Sequence, residues 1–240
     1  MRNNFEIFDR KLNDIGISLN DRQKQQFVIY YEMMVEKNKV MNLTSITEPL
    51  DVIDKHFVDS LALHSIYPMN QELFVIDVGT GAGFPGIPLK IAFPEIEIVL
   101  LDSLNKRIKF LQEVVDALGL KGVSCVHGRS EDLARKQGYR ECFDLCVSRA
   151  VANLATLSEY CIPFVKTGGM FVSYKAGNSQ DEIKTSQRAV EKLGGKISDV
   201  TELLLPETDL ERVFVQIKKE KSTPKKYPRK AGVPAKEPLG

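Results

Sequence analysis

An apolar run that leads into an acid and a series of glycines constrains this chain more than any other stretch. Residues 73–78 read Leu-Phe-Val-Ile-Asp-Val, and residues 79–86 read Gly-Thr-Gly-Ala-Gly-Phe-Pro-Gly. The apolar run is short enough to be a buried strand, and glycine lets the backbone turn sharply and lets a ligand approach closely. A strand, a glycine turn and a helix start, in that order, predict a loop that binds a nucleotide-like cofactor.

Short apolar runs alternate with segments of helical periodicity along the rest of the chain. This alternation is typical of an α/β fold, here a Rossmann-like, seven-stranded, mostly parallel sheet with helices on both faces. The last two strands have only a turn with Pro206 between them, which predicts an antiparallel hairpin at one edge. We predict strands near 73–78, 96–101, 123–126, 143–147, 169–174, 197–204 and 212–218, and helices near 86–92, 104–118, 130–136, 153–161 and 178–193.

Composition and periodicity divide the chain into three parts. Residues 1–70 form an N-terminal helical extension, residues 71–218 form the cofactor-binding domain, and residues 219–240 form a basic tail rich in proline and lysine. Within the extension we predict helices over 5–15 and 49–64, a helix capped by Ser18 or Asn20 whose aromatic face packs in the core, and a loop over 38–47.

The tail carries an unusual share of the positive charge. From Lys218 to Gly240 there are eight Lys and Arg against two Glu, a charge of +6, and the net charge of +1 therefore leaves the preceding residues at −5. Such a tail fits a polyanionic partner, although a solvated tail that only aids solubility has the same composition. Its prolines among lysines predict an extended or mobile segment.

Several classes of protein are excluded by simple features of the sequence. Residues 1–10 hold four charges and no apolar run, and no stretch of about eighteen apolar residues occurs, so we expect neither a secretory signal nor a membrane-spanning helix. Four cysteines without a Cys-x-x-Cys motif favour free thiols and a cytoplasmic location. The presence of only three histidines argues against a zinc enzyme.

Polar residues stand at the ends of the predicted strands, where such a sheet binds its ligand. Asp102 ends the second strand, 23 residues after Gly79, where a carboxylate meets the hydroxyls of a ribose. Residues 128–131, Gly-Arg-Ser-Glu, follow the third strand and are placed to contact a base. Arg149 and Lys175 stand at the ends of the fourth and fifth strands.

Two cofactors compete for the glycine turn. The motif Gly81-x-Gly83-x-x-Gly86 matches the spacing of a dinucleotide loop, which would make the protein an NAD-dependent oxidoreductase. Asp77 argues against that interpretation, because its carboxylate would repel a pyrophosphate. S-adenosylmethionine carries an ammonium group, a ribose and an adenine but no phosphate, and it fits Asp77 and Asp102 better.

Several stretches carry a resemblance to a known family. They are, in chain order, Asn42-Leu-Thr-Ser-Ile, Lys55-His56-Phe57-x-Asp59-Ser60, residues 77–89, Asp102-Ser-x-x-Lys106-Arg107, Gly128-Arg129-x-Glu131, Ser148-Arg149-Ala150-Val151, Tyr174-Lys175 and Thr223 to Lys230. With these stretches the chain resembles the glucose-inhibited division protein B family, also described as methyltransferase G of small-subunit ribosomal RNA. The resemblance implies a class I methyltransferase that uses S-adenosylmethionine to methylate N7 of a guanine in the decoding-region loop of 16S rRNA.

On this interpretation one group of residues holds the cofactor. Asp77 lies near its ammonium group, directly or through a water, and Asp102 holds its ribose. Ser130 contacts the adenine through its backbone, beside Glu131. The predicted cofactor-binding set is Asp77, Gly79, Gly81, Phe84, Asp102, Ser130, Glu131 and Arg149, with no metal ion.

A second group is expected to surround the acceptor. We place Asn42, His56 and Lys175 around the guanine or its phosphates, and Arg149 between the cofactor and the acceptor, at the methionine carboxylate. A structural salt bridge is the alternative for Arg149, and a core position is the alternative for His56. Asp59 is expected to orient a neighbour.

The chemistry at N7 needs little from the protein. N7 carries a free lone pair in the plane of the ring, so no proton has to be removed, and catalysis would consist of orientation and electrostatics. In agreement, neither the Asp/Asn-Pro-Pro-aromatic motif of exocyclic-amine methyltransferases nor the Pro-Cys nucleophile of pyrimidine enzymes follows the fourth strand.

The expected partner is 16S ribosomal RNA or the small ribosomal subunit, with no membrane association and a monomeric protein. If the basic tail contacts phosphates, deletion of residues 219–240 should weaken RNA binding more than cofactor binding. Three alternatives stay open at this point: an NAD-dependent oxidoreductase, a non-catalytic RNA-binding factor and a small-molecule methyltransferase.

Overall fold

A seven-stranded sheet runs through the centre of the computed structural model, which describes residues 4–149 and 152–240. Its strands are β1 (Phe74–Val78), β2 (Glu97–Asp102), β3 (Val123–His127), β4 (Phe143–Arg149), β5 (Val165–Ala176), β6 (Gly195–Leu204) and β7 (Glu211–Lys219). Their order in the sheet is β3-β2-β1-β4-β5-β7-β6. Strands β1 to β5 are parallel, and β7 is antiparallel to both β5 and β6. The chain changes direction across the sheet between β1 and β4, which is where a doubly wound sheet binds its ligand.

Helices cover both faces of the sheet. The α-helices are α1 (Phe5–Asp14), α2 (Asp21–Met41), α3 (Pro49–Val52), α4 (Asp59–Leu61), α5 (Gly86–Ala92), α6 (Asn105–Leu118), α7 (Ser130–Leu133), α8 (Leu154–Cys161), α9 (Gln180–Lys192) and α10 (Val233–Lys236). A π-helix, Ile53–Val58, joins α3 to α4, and short 3₁₀ turns occupy Ala62–Ser65 and Ile162–Phe164.

Alternate residues of each strand enter two separate cores, because successive side chains of a strand point to opposite faces. On β1, Val75 belongs to one core and Ile76 to the other. The first core holds α1, α2, α5 and α6, and the second holds α8 and α9. Both faces of the central strands are therefore dry, which explains why their sequences are almost continuously apolar.

The N-terminal helices share the first core with the sheet. Phe27 packs with ring centroids 5.1 Å from Phe8 and 4.9 Å from Phe57, and all three rings are fully buried. These aromatic residues therefore belong to the core, as their spacing predicts. The helix α2 runs to Met41, which is four residues into the predicted loop, and it ends where Asn42 takes a left-handed conformation with φ 50°.

The predicted helix over 49–64 is present but irregular. Its middle turn is the π-helix, in which the backbone N–H of Asp59 reaches the carbonyl of Asp54, five residues back. Apolar periodicity predicts that a segment is helical, but it does not reveal one extra residue in one turn.

The tail packs against the domain, which the prediction of an extended or mobile segment did not anticipate. Thr223 and Tyr227 are 3% and 7% exposed, and the Arg140 guanidinium donates to the carbonyls of Thr223 (2.7 Å) and Tyr227 (3.0 Å). Side chains of the domain thus satisfy backbone groups that the proline-rich tail cannot pair within itself. Composition shows that the tail has too few apolar residues to form a core of its own. It does not show that the tail can bury residues against the surface of the folded domain.

The predicted fold class is confirmed in its strand number, its mostly parallel sheet, its antiparallel edge hairpin and its helical N-terminal part. The division at residues 70 and 218 stays a prediction about folding units. All four cysteines are free thiols, and Cys146 and Cys161 are buried. Within the described ranges, no helix has the length and apolarity that crossing a membrane requires.

Candidate functional site

The glycine turn leaves β1 with three residues in backbone conformations that favour glycine. Gly79, Gly81 and Gly83 have φ values of 75°, 63° and 109°. The N–H of Gly79 donates to the carbonyl of Leu101 at 2.8 Å, which ties the turn to β2. The hydroxyl of Tyr30, on α2, donates to the carbonyl of Ala82 at 2.7 Å and supports the turn from below. The turn is therefore fixed from two sides and leaves its open face toward the carboxyl ends of β1 and β2.

Asp77 lies beneath this turn and not in the cavity that opens above it. It is fully buried, and its Oδ2 accepts from the N–H of Gly86 at 2.9 Å, at the start of α5. Burial raises the pKa of its carboxyl to about 7. Its Oδ1 and the Oγ1 of Thr80 are both buried without a partner of hydrogen-bond geometry in ranges 4–149 and 152–240, and the nearby Thr80 hydroxyl partly offsets the effect of burial on the pKa of Asp77.

The raised pKa of Asp77 makes a testable difference to stability. In the folded protein this pKa is about 7, against 3.8 for the exposed group, so its contribution to stability is present below pH 3.8 and lost as the pH rises through 7. Asparagine keeps an oxygen acceptor and has no charge. We expect Asp77→Asn to gain stability relative to the wild type as the pH rises. Urea denaturation at about pH 4.5 and about pH 7.5 measures this gain, and an unchanged difference in free energy of unfolding would contradict it.

A cavity of about 300 Å³ opens over the ends of β1, β2 and β3. Asp102 lies at the rim of the cavity, and both oxygens of its carboxylate accept hydrogen bonds from backbone N–H groups. Oδ1 accepts from Leu104 (2.8 Å), and Oδ2 accepts from Gly81 (3.0 Å). The guanidinium of Arg107 reaches Oδ2 at 3.2 Å. Each carboxylate oxygen has two acceptor sites, so Asp102 can hold the turn and still accept from a hydroxyl. The cavity is lined by Val78, Gly79, Leu101, Asp102, Ser103, Gly128, Arg129, Ser130, Glu131, Tyr160, Gly232 and Ala235.

Ser130 and Glu131 form the far end of this cavity, at the start of α7. The Ser130 hydroxyl donates to the carbonyl of Tyr160 at 3.1 Å, which leaves its backbone as the part of Ser130 that can meet a ligand. Glu131 is 6% exposed, and its Oε1 accepts from the N–H of Gly232 at 2.8 Å. The tail therefore contributes to the same cavity.

Arg149, at the end of β4, organises a second cluster beside the glycine turn. Its Nη1 donates to Asp59 Oδ2 (2.7 Å) and to the carbonyl of Lys55 (3.0 Å), and its guanidinium lies 5.1 Å from the ring centroid of Phe84. Asp59 is 1% exposed and also accepts from Nε of Arg212 at 2.5 Å. Asp59 thus holds Arg149 in place, so the structural salt bridge named as the alternative for Arg149 is present.

His56 is part of the same cluster. Its ring stacks on Phe84 with centroids 4.4 Å apart, and its Nε2 lies 2.9 Å from Oγ1 of Thr44. Burial, followed by the neighbouring Arg149 guanidinium, lowers the pKa of His56 to about 4. The imidazole is therefore neutral at physiological pH and offers hydrogen bonds and a flat face, but no positive charge for a phosphate.

The other two predicted acceptor residues share no hydrogen bond with this cluster within the described ranges. The Nζ of Lys175 donates to Glu182 Oε1 (2.7 Å) and to the carbonyl of Ala152 (2.9 Å), so it links α9 to Ala152, shortly before α8. Asn42 is exposed, and its side chain makes no hydrogen bond within the part of the chain that the structure describes. Ala150 and Val151 of the Ser-Arg-Ala-Val motif lie outside the described residues.

The structure adds residues that sequence reasoning missed. Arg212 orients Asp59, Glu182 orients Lys175, and Tyr30 orients the glycine turn. The cavity is also lined by Gly232 and Ala235. Apart from Glu182, which stands seven residues after Lys175, they come from elements far away in the sequence, so no local spacing signals them. Among the described residues, no group of three or more His, Cys, Asp or Glu side chains is placed to hold a metal ion.

Comparison with known proteins identifies the family. A family model described as "GidB: rRNA small subunit methyltransferase G" matches residues 23–210. The chain belongs to this family. The sequence resemblance is therefore confirmed, and family membership favours a methyltransferase over the dinucleotide oxidoreductase and the non-catalytic RNA-binding factor.

Individual members of the rRNA small subunit methyltransferase G family match over almost their whole length. A protein named ribosomal RNA small subunit methyltransferase G from Lachnoclostridium phytofermentans is 52% identical over 239 residues, which cover 100% of this chain and 98% of the relative. A protein of the same name from Lactobacillus johnsonii is 48% identical and covers 98% of this chain and 100% of its own.

Solved structures support the fold at low identity. TYW2 of M. jannaschii, solved in complex with AdoMet, superposes with a TM-score of 0.55 at 16% identity and covers 73% of this chain and 79% of its own. A SAM-dependent methyltransferase from Aquifex aeolicus gives a TM-score of 0.51 at 18% identity, with coverages of 76% and 97%. The family of this chain thus has the class I methyltransferase fold.

Proposed function

We propose that the protein transfers the methyl group of S-adenosylmethionine to N7 of a guanine in the decoding-region loop of 16S rRNA. The observation that carries this proposal is the cavity over β1 to β3, which combines the left-handed glycine turn with Asp102 and Glu131 in a member of the rRNA small subunit methyltransferase G family. The cavity lies where a sheet of this topology binds a nucleoside.

The residues of the cavity fit the cofactor. Its polar lining combines backbone groups of the turn with the buried carboxylates of Asp102 and Glu131, and Arg129 also lines it. Asp102 would hold the ribose, and Ser130 with Glu131 would hold the adenine. Gly79 and Gly81 would admit the sulfonium side, and the unpartnered Asp77 Oδ1 would meet the ammonium group through a water. The bound cofactor supplies an electrophilic methyl group.

The acceptor end of the site is built for orientation. Asp59 is engaged by two arginines and Lys175 by Glu182, so neither is poised to move a proton. N7 of guanine needs no proton removed, which suits this arrangement. Arg149 would bridge the cofactor and the acceptor, and the neutral His56 ring, stacked on Phe84, would help to position the base. Asn42 and Lys175 would act from the rim.

The partner follows from the substrate. We place the protein in the cytoplasm as a monomer that acts on ribosomal RNA or on the small subunit. Specific RNA recognition usually targets unstacked loop bases, which can be presented singly to a pocket. Exposed tail lysines such as Lys225, Lys226 and Lys230 would add phosphate contacts that weaken with salt.

Mapping of N7-methylguanine tests the proposal directly. We expect ribosomal RNA from cells that lack the protein to lose N7 methylation at one guanine of the decoding-region loop, and purified protein with S-adenosylmethionine to restore it. Asp102→Ala should weaken cofactor binding by about tenfold or more and restore little methylation, because the turn and the ribose both lose an acceptor. Asp199→Ala, which removes an acid from the edge strand β6, serves as the matched control. No change at any guanine would overturn the substrate assignment, and wild-type cofactor affinity in Asp102→Ala would overturn the role of Asp102.

A further inference from the structure

The C-terminal segment follows a defined path from β7 back to the cavity. At its start, Nζ of Lys219 donates to Oγ1 of Thr223 at 2.6 Å, and the Thr223 hydroxyl donates to the carbonyl of Leu193 at 2.7 Å. Further along, Tyr227 is buried, and its carbonyl accepts from Arg140. The segment is thus attached to the domain before it reaches the cofactor cavity.

The strongest attachment joins Arg229 to Glu159 of α8. The Glu159 carboxylate is fully buried and accepts four hydrogen bonds from Arg229: from the backbone N–H (2.7 Å), from Nε to each oxygen (3.0 and 3.1 Å) and from Nη2 (2.7 Å). Such a bidentate pair fixes the geometry of both partners, and its loss would leave an uncompensated buried charge.

Three residues beyond this pair, the segment enters the cavity. The N–H of Gly232 donates to Glu131 Oε1 at 2.8 Å, and within the described chain this is the hydrogen bond that the Glu131 side chain makes. Gly232 and Ala235 line the cavity beside Glu131 and Tyr160. The hydroxyl of Thr156, on α8, donates to the carbonyl of Pro234 at 3.1 Å and holds α10 in place.

We propose that residues 229–236 form a wall of the nucleoside cavity and that Arg229 is a positioning residue for the cofactor. Through Glu159, Arg229 fixes Gly232, and Gly232 in turn fixes the carboxyl of Glu131. The inference rests on the proposed function, because it assigns this cavity to S-adenosylmethionine. The tail then has a second role besides contact with RNA. Deletion of residues 219–240 would remove part of the cofactor cavity together with a set of lysines, so we expect it to weaken cofactor binding as well as RNA binding.

Calorimetry with S-adenosylmethionine on matched variants of the full chain tests this inference. We expect Arg229→Met to weaken cofactor binding by about tenfold or more, because the cavity loses its preformed wall. Arg229→Lys keeps the charge but not the bidentate geometry, so its cofactor affinity should lie between that of the wild type and that of Arg229→Met. Lys221→Met is the control, since it removes the same charge from an exposed position of the same segment, and it should leave cofactor affinity unchanged.

A double variant separates positioning from stability. Arg229→Met with Glu159→Leu leaves no buried charge unpaired, so we expect its melting temperature to recover while its cofactor affinity stays low. The Michaelis constant for S-adenosylmethionine should rise in this variant, with little change in kcat. A double variant that folds and binds the cofactor like the wild type would overturn the inference. Failure of the wild type itself to bind S-adenosylmethionine would instead overturn the proposed function.

Discussion

Replacement of Arg149 by methionine is expected to lower kcat/KM for RNA methylation by about a hundredfold or more. The Arg149 guanidinium is held by Asp59 and by the carbonyl of Lys55, and it lies over the ring of Phe84, between the glycine turn and the acceptor side. A charge fixed in this way needs no reorganisation during the reaction, and methionine supplies similar bulk without it. Transfer of a labelled methyl group to ribosomal RNA measures the loss.

Two companion variants show whether Arg149 acts at the reaction or only in a salt bridge. Arg149→Lys keeps the positive charge but not the planar fork, so it should recover part of the activity. Arg212→Met removes the other arginine of Asp59 without touching Phe84 or His56. We expect Arg212→Met to lower stability more than activity. Equal activity losses in Arg149→Met and Arg212→Met would show that both arginines matter only through Asp59.

Gly83→Ala is expected to cost about 3 kcal/mol or more of the free energy of unfolding. At φ 109° a side chain is strained, and a Cβ would lie 2.7 Å from Cγ1 of Ile87, 2.8 Å from the Tyr30 hydroxyl and 2.9 Å from Cδ2 of Leu111. These neighbours belong to α5, α2 and α6, so relief of one contact compresses another. The turn would also lose the support that the Tyr30 hydroxyl gives to Ala82.

Gly81→Ala is the matched control for that variant. Gly81 has φ 63°, and the nearest atom to a Cβ is the carbonyl oxygen of Gly79 at 4.0 Å, so only the backbone conformation opposes alanine. We expect a cost of about 1 kcal/mol at this position. Chemical denaturation of both variants measures the comparison. If Gly83→Ala loses no more free energy of unfolding than Gly81→Ala, the surrounding helices must shift to accommodate the added methyl group, and the prediction is wrong.

Local signals predicted most of the fold, because strand and helix periods are properties of short windows. The same local signals placed Asp102 and Glu131 at strand ends and therefore in one cavity. The position of Asp77 was harder, since the sequence shows an acid before a glycine turn but not whether the side chain lies above or below it. The structure places it below, on the N–H of Gly86.

Contacts between distant segments were out of reach of the sequence. The pair of Arg149 with Asp59 and the pair of Arg229 with Glu159 join residues that are 90 and 70 positions apart. The tail shows the limit most clearly. Its charge and prolines predict an extended or mobile segment, but they do not reveal that Arg229 pairs with the buried Glu159 carboxylate or that α10 lies beside the cavity.

The π-helix at Ile53–Val58 makes the site sensitive to chain length. Successive residues of an α-helix differ in direction by about 100°, and removal of one residue from this turn would restore an ordinary α-helix. His56 and Asp59 would then point in directions about 100° further apart or closer together, and they could no longer both contact Arg149. A substitution in the π-helix changes one side chain but keeps the directions in which the His56 and Asp59 side chains point. Variation within this segment should therefore consist of replacements at constant length, whereas surface loops of the same protein can gain or lose residues.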